Sequence, residues 1–184
     1  MSSSRSKSAW VLRHELRAGD VGRIIEFHGA VYARECGFDL TFEAYVARPL
    51  AEFVIHRSPD NRLWMAECNG ELVGCIAIVG AVESGAAARA KITSRDAQLR
   101  WFLVHPAIRR RGLGRLLLNE AIQFAKDRGY SAIFLWTVAA LADAARLYRS
   151  TGFSKVEEKT GRQWGVDVLE EKHVLRLASS QPPR

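Results

Sequence analysis

The segment that decides the fold is residues 99–114, which read LRWFLVHPAIRRRGLG. Its first six residues are mostly apolar and predict a buried strand, which Pro106 ends. Three arginines and Gly112-Leu113-Gly114 follow, and apolar side chains at helical spacing then predict a helix from Gly114 to Arg128. Backbone N–H groups at a helix N-terminus bind anionic oxygens, and glycine lets the main chain approach them closely. The segment therefore predicts a phosphate-binding loop between a strand and a helix.

Two common nucleotide motifs do not fit this loop. A Walker A loop needs Lys and then Ser or Thr after its last glycine, and Arg115-Leu116 stands there instead. The dinucleotide fingerprint needs a third glycine, and the chain has Leu117 at that position. We therefore expect neither a magnesium-bound triphosphate nor a typical NAD.

Toward the N-terminus, the patterns predict a strand, two helices and a hairpin. The elements are expected at 10–13, from about 20, at 41–56, at 63–67 and at 71–79. Pro49 should kink or divide the second helix, because proline lacks the N–H that a helix interior needs. Asn69-Gly70 predicts a tight turn between the last two strands, since both residues tolerate positive φ. These two strands should therefore pair antiparallel.

Toward the C-terminus, strands and helices alternate. The expected elements are a strand at 132–137, a helix at 141–150 and strands at about 154–158 and 173–177. Gly129 and Gly152 follow the two predicted helices, as is common after a helix C-terminus. Residues 80–95 are rich in glycine and alanine and predict a loop of about sixteen residues.

Composition and length indicate one globular domain. The chain has 184 residues, of which 48% are hydrophobic and 26% charged. We expect a single domain at 9–178 between a disordered basic tail at 1–8 and a disordered tail at 179–184. Three cysteines without metal-ligand spacing argue against a disulfide framework and a zinc site.

The chain also has no sequence signal for export or membrane insertion. No apolar run reaches the roughly 18 to 20 residues that cross a bilayer, and residues 1–8 lack the apolar core of a signal peptide. We therefore expect a cytoplasmic protein without membrane contact. The net charge of +7 is concentrated near the N-terminus and in residues 100–115. The second cluster needs a local explanation, and it suits a small phosphate-bearing ligand as well as a nucleic acid backbone.

The phosphate loop resembles that of the GCN5-related N-acetyltransferases (GNAT), whose acetyl-CoA loop has the pattern Gln/Arg-x-x-Gly-x-Gly/Ala. Arg109, Gly112 and Gly114 match it in register. The segment Ala144-x-x-Leu147-Tyr148-x-x-x-Gly152-Phe153 is similar to the family's second motif. The resemblance is greatest to the acetyltransferase half of fusions with a MarR-type helix-turn-helix domain. Fewer than a dozen residues precede the first strand, so we expect no DNA-binding half in this chain.

This resemblance implies an α/β fold of mixed α+β type, with a mostly antiparallel sheet of six to seven strands flanked by about four helices. It also implies an enzyme that transfers the acetyl group of acetyl-CoA, a cosubstrate, directly to a primary amine in a ternary complex. Tyr148 matches the residue that protonates the departing thiolate. The implied acetyl-CoA contacts are Phe102, Leu103, Val104, Arg109, Arg110, Arg111, Gly112, Leu113, Gly114, Arg115, Thr137, Ala144 and Tyr148.

The sequence says less about the acetyl acceptor and the general base than about acetyl-CoA. A small-molecule or peptide amine is expected as partner, no metal is required, and the resemblance allows a homodimer. The general base is left open among Asp96, Glu67 and Glu43, because the predicted central strand lacks the carboxylate that some relatives place there. Many relatives also have Asn where this chain has Leu141, which puts one pantetheine hydrogen bond in doubt.

A binding module is the alternative reading of the same residues. Leu141 and the missing strand carboxylate favour a catalytically weak acyl-CoA sensor, and the charge of +7 favours a basic module that binds nucleic acid. The sequence has neither a zinc finger nor an aromatic RNA-binding motif, and CoA phosphates account for the largest arginine cluster. Nucleic acid is therefore the less favoured partner.

Overall fold

The structure is a computed structural model that describes residues 10–80 and 95–177. Its strands are β1 (Val11–Arg13), β2 (Arg62–Cys68), β3 (Glu71–Gly80), β4 (Asp96–Val104), β5 (Ala132–Val138), β6 (Ser154–Gln163) and β7 (Val166–Arg176). Its α-helices are α1 (Asp20–Cys36), α2 (Thr41–Ile55), α3 (Leu113–Asp127) and α4 (Ala142–Ser150). No helix in these two ranges is long and apolar enough to cross a membrane.

The strands form one sheet in the order β1-β2-β3-β4-β5-β7-β6. Neighbouring strands are antiparallel except β4 and β5, which run parallel. The predicted fold class, a mixed and mostly antiparallel sheet with about four helices, is confirmed for the described residues. The single parallel pair lies at the centre of the sheet, where the chain enters the predicted phosphate loop.

Helices cover both faces of the sheet because the central strands are apolar on both sides. Ile76 and Ile78 of β3 pack in the cluster that contains the buried side of α3. Cys75 and Ala77 of the same strand pack in the cluster that contains the buried sides of α1 and α2. This alternation follows from the two-residue period of a strand. It fixes α3 on one face and the α1–α2 pair on the other.

Two tight hairpins close the outer parts of the sheet. Asn69 and Gly70 have φ of 52° and 83°, which confirms the predicted turn between β2 and β3. Trp164 and Gly165 adopt almost the same angles, 51° and 83°, between β6 and β7. The sequence patterns did not predict this second turn. The predicted strands at 154–158 and 173–177 are therefore much shorter than the observed β6 and β7.

Other boundaries differ less from the predictions. Pro49 was expected to kink or divide the second helix, and it lies inside one continuous helix, so the division does not occur. Helix α3 begins at Leu113, one residue before the predicted start, and Gly129 follows it with φ of 70°. Most of the predicted loop at 80–95 and both predicted tails lie outside the described residues.

Candidate active site

The two parallel strands separate from each other partway along their length. β4 pairs with β5 only from Asp96 to Gln98, although both strands continue beyond this point. β5 pairs with β7 along its whole length on the edge away from β4, and β4 remains paired with β3 on the edge away from β5. From Leu99 to Val104, the edge of β4 that faces β5 therefore has no strand partner. Such an edge offers main-chain donors and acceptors to a ligand.

A β-bulge lies on β4 just after the separation. Trp101 has a φ of +47°, and the register with β3 shifts between Cys75 and Ala77. The thiol of Cys75 donates to the Trp101 carbonyl over 3.1 Å. A bulge leaves an extra residue unpaired and re-aims the side chains around it. Here it turns Trp101 and Leu103 toward α1 and α2, although Leu99 packs on the α3 side.

The loop before α3 presents unpartnered N–H groups. Among the described residues, no backbone N–H from Arg110 to Arg115 donates to a carbonyl, and the first that does is Leu116, to Gly112 over 3.0 Å. Gly112 has a φ of +93°, and no atom lies within 4 Å of where its Cβ would stand. The N-terminus of α3 therefore has the free N–H groups and the open backbone that an anion site needs.

A large cavity of about 580 Å³ runs from this loop along the free edge of β4 to α4. Its lining includes Val104, Arg110, Gly114, Leu141 and Ala144. A second cavity of about 100 Å³ lies on the α1–α2 side, and we call it the aromatic cavity. Its aromatic lining comprises Tyr32, Phe42, Tyr45, Trp101, Phe102, Trp136, Tyr148 and Trp164.

The two cavities meet at four residues. Tyr32, Phe102, Thr137 and Tyr148 line both of them. Tyr148 is only 5% exposed and packs against Phe102 with ring centroids 6.0 Å apart. Burial raises the pKa of the Tyr148 hydroxyl above its ordinary value, so this group stays protonated near neutral pH. A phenol that can donate a proton thus lies where the two cavities join.

Comparison with known proteins decides the family. Residues 28–153 match the model of the acetyltransferase (GNAT) family. The chain belongs to this family. Its strand separation, its glycine loop and its second motif all lie within the matched range.

Two relatives and one solved structure show how this GNAT chain compares. It is 35% identical to rat N-acetyltransferase family 8 member 3 over 52% of this chain and 39% of that protein. It is 30% identical to an uncharacterized N-acetyltransferase of Schizosaccharomyces pombe over 68% of this chain and 72% of that protein. The structure of yncA from Salmonella typhimurium with its cofactor acetyl-CoA has the same fold, with a TM-score of 0.72 and 20% identity over 95% and 98% of the two chains. The match thus spans well under half of the rat protein and nearly three quarters of the yeast protein.

Most residues that the sequence assigned to acetyl-CoA lie together in this GNAT chain. Those that line the large cavity are Phe102, Leu103, Val104, Arg109, Arg110, Gly114, Thr137, Ala144 and Tyr148. Arg111, Gly112, Leu113 and Arg115 do not line it. The side chain of Leu113, the first residue of α3, is fully buried in the cluster between α3 and the sheet, and Arg111 and Arg115 are exposed. From these four residues, only main-chain groups or flexible charged ends are available to a ligand.

Arg109 has a structural contact that the sequence did not reveal. Its guanidinium binds both carboxylate oxygens of Glu35 over 2.7 and 2.9 Å, and its Nε donates to the Val104 carbonyl over 3.1 Å. Glu35 belongs to the last turn of α1. The side chain of Arg109 therefore fastens the loop to α1 and to the end of β4.

None of the three candidate bases lines either cavity. Glu67 is bound by Arg13 and Arg23, which lower its pKa to about 2. Asp96 lies at the start of β4, and Glu43 packs against Gly29. The part of the chain that the structure describes places a different carboxylate, Glu170, in the aromatic cavity.

Glu170 and His28 are two polar groups of the aromatic cavity that sequence reasoning missed. Glu170 is 5% exposed and is held by Gln163 over 2.8 Å and by Lys159 over 3.1 Å. Nδ1 of His28 contacts the Ile24 carbonyl over 2.8 Å, and Nε2 has no partner among the described residues. Because Nδ1 carries the proton in this contact, Nε2 keeps a free lone pair.

The described residues contain no group of three or more His, Cys, Asp and Glu side chains placed to bind a metal ion.

Proposed function

We propose that this chain is an acetyl-CoA-dependent N-acetyltransferase that transfers the acetyl group directly to a primary amine in a ternary complex. The observation that carries the proposal is the meeting of the two cavities at Tyr148. One ligand in each cavity would bring a thioester and an amine together beside a proton donor. The relatives named N-acetyltransferase support nitrogen as the acceptor atom.

In this proposal the donor occupies the large cavity. Main-chain N–H groups of residues 110–115 at the N-terminus of α3 bind the pyrophosphate, and the arginines there add positive charge. The free edge of β4 from Leu99 to Val104 hydrogen-bonds the pantetheine arm. The donor's thioester then reaches the junction at Thr137 and Tyr148. Acetyl-CoA is the donor that fits a phosphate loop joined to a long main-chain edge.

The chemistry follows from this placement. The amine nitrogen attacks the thioester carbonyl, and main-chain N–H groups of the free β4 edge stabilise the negative charge that forms on the oxygen. The C–S bond then breaks, and the Tyr148 hydroxyl protonates the departing thiolate. The nitrogen loses one proton, so the products are an amide and CoA.

The proton that the amine loses needs an acceptor in the aromatic cavity. Glu170 is the carboxylate that lines it in the described part of the chain. We assign it the role of proton acceptor, directly or through a water molecule. Nε2 of His28 would then accept a hydrogen bond from the other N–H of the amine and orient its lone pair.

The Tyr148→Phe variant tests the proposal. It removes only the hydroxyl, so we expect acetyl-CoA to bind with nearly unchanged affinity in calorimetry and kcat to fall by about 100-fold or more. Tyr130→Phe is a matched control, because its buried hydroxyl donates to the Asp60 carbonyl and lines neither cavity. The control should keep its kcat. An unchanged kcat in Tyr148→Phe would remove Tyr148 from the mechanism.

One observation favours a second function, the acyl-CoA sensor. Leu141 lines the large cavity immediately before α4, and its side chain cannot hydrogen-bond pantetheine as the Asn of many relatives does. A sensor would bind acetyl-CoA and release no CoA with any amine. Thermal shifts with acetyl-CoA, CoA, ATP and a short DNA duplex, read beside CoA release, separate the enzyme, the sensor and the nucleic-acid module.

Four expectations from the sequence stay predictions. They are the cytoplasmic location, a homodimer, the absence of membrane contact and the special resemblance to the MarR-fusion branch. The choice between small-molecule and peptide amines depends on the aromatic cavity.

A further inference from the structure

A positively charged side chain that has no carboxylate partner among the described residues lies in the aromatic cavity. Arg100 of β4 lines this cavity together with Gln98 and Trp101. Leu99 packs on the α3 side of the sheet, so the strand alternation directs Arg100 toward α1 and α2. Because of the bulge, the Trp101 side chain lies on the same face of the sheet as Arg100. The Arg100 guanidinium lies 5.2 Å from the Trp101 ring centroid. Two consecutive residues therefore contribute a cation and an aromatic surface to one cavity.

The contacts of Arg100 within the protein are weak. Among residues 10–80 and 95–177, no carboxylate lies within ion-pair distance of its guanidinium. Its one hydrogen bond to a side chain there is long, 3.4 Å to Oε1 of Gln98. Burial removes part of the water around this charge and thereby lowers the pKa of Arg100. A partly desolvated guanidinium without an anion is costly, and a ligand carboxylate would relieve that cost through two charge-assisted hydrogen bonds.

The rest of the aromatic cavity fits the other parts of such a ligand. Tyr45 and Trp164 offer aromatic surface, with ring centroids 5.0 Å apart. Nε2 of His28 is a buried acceptor without a partner in the described residues, and Glu170 is an anion. One cavity thus combines a site for an anion, apolar walls, and two acceptors for an ammonium or amine.

We infer that the acetyl acceptor is a hydrophobic α-amino acid whose carboxylate is bound by Arg100. This inference rests on the proposed function, because it names the substrate class of the same site. The amine of such a ligand points toward the junction at Tyr148, and its side chain packs against the aromatic walls. Amines without a carboxylate are poor acceptors, because they leave Arg100 unpaired.

The experiment compares acceptors that differ only in the carboxylate. L-leucine, L-phenylalanine and L-tryptophan are each paired with their neutral amides. Binding to the CoA-loaded protein is measured by calorimetry, and turnover with acetyl-CoA is followed by CoA release. We expect at least one amino acid to bind about 10- to 100-fold more tightly than its amide, which is the range for a charge-assisted contact.

Two variants assign that preference to Arg100. Arg100→Gln should abolish the preference for the carboxylate and leave binding of the amides unchanged, and Arg100→Lys should restore part of it. Arg48→Gln is the matched control, because Arg48 is exposed on α2 and lines neither cavity. The wild-type comparison of acids with amides remains decisive even if a variant fails to fold.

The two readouts separate this inference from the proposed function. Carboxylate-dependent binding without CoA release would support the amino-acid site and contradict the transferase. CoA release with equal use of acids and amides would support the transferase and overturn the role of Arg100. A loss of binding in Arg100→Gln that is equal for acids and amides would also overturn it, since the arginine would then only support the cavity.

Discussion

At the scale of single residues, His28 predicts how stability depends on pH. Burial lowers its pKa from the ordinary 6.5 to about 4, although the hydrogen bond to the Ile24 carbonyl opposes this shift. The unfolded chain therefore binds a proton at a higher pH than the folded protein. The contribution of the neutral side chain is complete above about pH 6.5 and is lost as the pH falls toward 4.

Replacing His28 tests this pH dependence. The wild type should lose up to about 3 kcal/mol of unfolding free energy between pH 7 and pH 4 through this residue, and His28→Leu should lack that component. Urea unfolding of both proteins at several pH values measures the difference and cancels the carboxylates that titrate in both. Parallel stability curves for the two proteins would mean that His28 is not held neutral by the fold.

Most polar residues of the aromatic cavity could not be assigned to one site from the sequence. Tyr148 could be named as a candidate from the sequence because its motif is local. Arg100, Glu170 and His28 come from β4, β7 and α1, and the fold alone brings them to one cavity. The sequence contains no spacing that joins them. Glu67 looked equally suitable as a base, but it lines neither cavity, and Arg13 and Arg23 bind its carboxylate.

At the scale of elements, we expect the arginines of the loop before α3 to affect the KM for acyl donors in two different ways. Arg110→Ala with Arg111→Ala should raise the KM for acetyl-CoA about tenfold and leave kcat nearly unchanged, because phosphate contacts act alike in ground and transition states. The KM for acetylated pantetheine, which lacks the 3′-phospho-ADP, should barely change. Steady-state kinetics with the two donors measures both effects.

Arg109→Ala should raise the KM for both acetyl-CoA and acetylated pantetheine, because the Arg109 side chain holds the loop against Glu35 and Val104. The same kinetics, repeated with this variant, provide the comparison. If Arg109→Ala discriminates between the donors as strongly as the double variant, its side chain binds phosphate directly and the structural role is wrong.

A buried ion-pair network joins β1, α1 and β2. The Arg13 guanidinium binds both carboxylate oxygens of Asp20 over 2.7 Å and also contacts Glu67. The side chains of Arg13 and Asp20 are only 6% and 3% exposed. Asp20→Asn leaves a buried guanidinium partly uncompensated and should lower the unfolding free energy by about 1–3 kcal/mol.

Chemical denaturation of Asp20→Asn beside Asp167→Asn measures this effect. Asp167 forms an exposed pair with Arg162, so its replacement should change stability by less than about 0.5 kcal/mol. Equal effects of the two substitutions would show that burial does not strengthen the network around Arg13.

The two hairpins explain why some elements were predicted and others were not. Asn69-Gly70 carries the residues that positive φ favours, and apolar strands flank it. The turn at Trp164-Gly165 has almost the same angles with a tryptophan in the first position. β6 is exposed along nearly its whole length, has Val156 as its one large apolar side chain, and is joined to β7 by cross-strand ion pairs such as Lys155 to Glu171. A strand of this kind has no apolar period, so the pattern of hydrophobic residues could not reveal it.

At the scale of the whole molecule, the separation of two parallel strands accounts for the site. The sheet is antiparallel except where β4 and β5 run parallel, and these two strands separate after Gln98. The separation exposes the edge of β4. The large cavity is lined by α1, α4 and the start of α3 beside this edge, and the aromatic cavity is lined by α1 and α2. The sequence predicted the strand, the loop and the helix that form one wall. It could not predict the aromatic cavity, whose walls come from residues 28 to 170.

The central claim is that donor and acceptor occupy the two cavities together and react directly. Initial rates measured over a grid of acetyl-CoA and amine concentrations test it most directly, with the acetylated amine identified by mass spectrometry. We predict double-reciprocal lines that intersect, because both ligands must be bound before the acetyl group moves. Parallel lines together with an acetylated form of the protein, or the absence of any acetylated amine, would contradict the account.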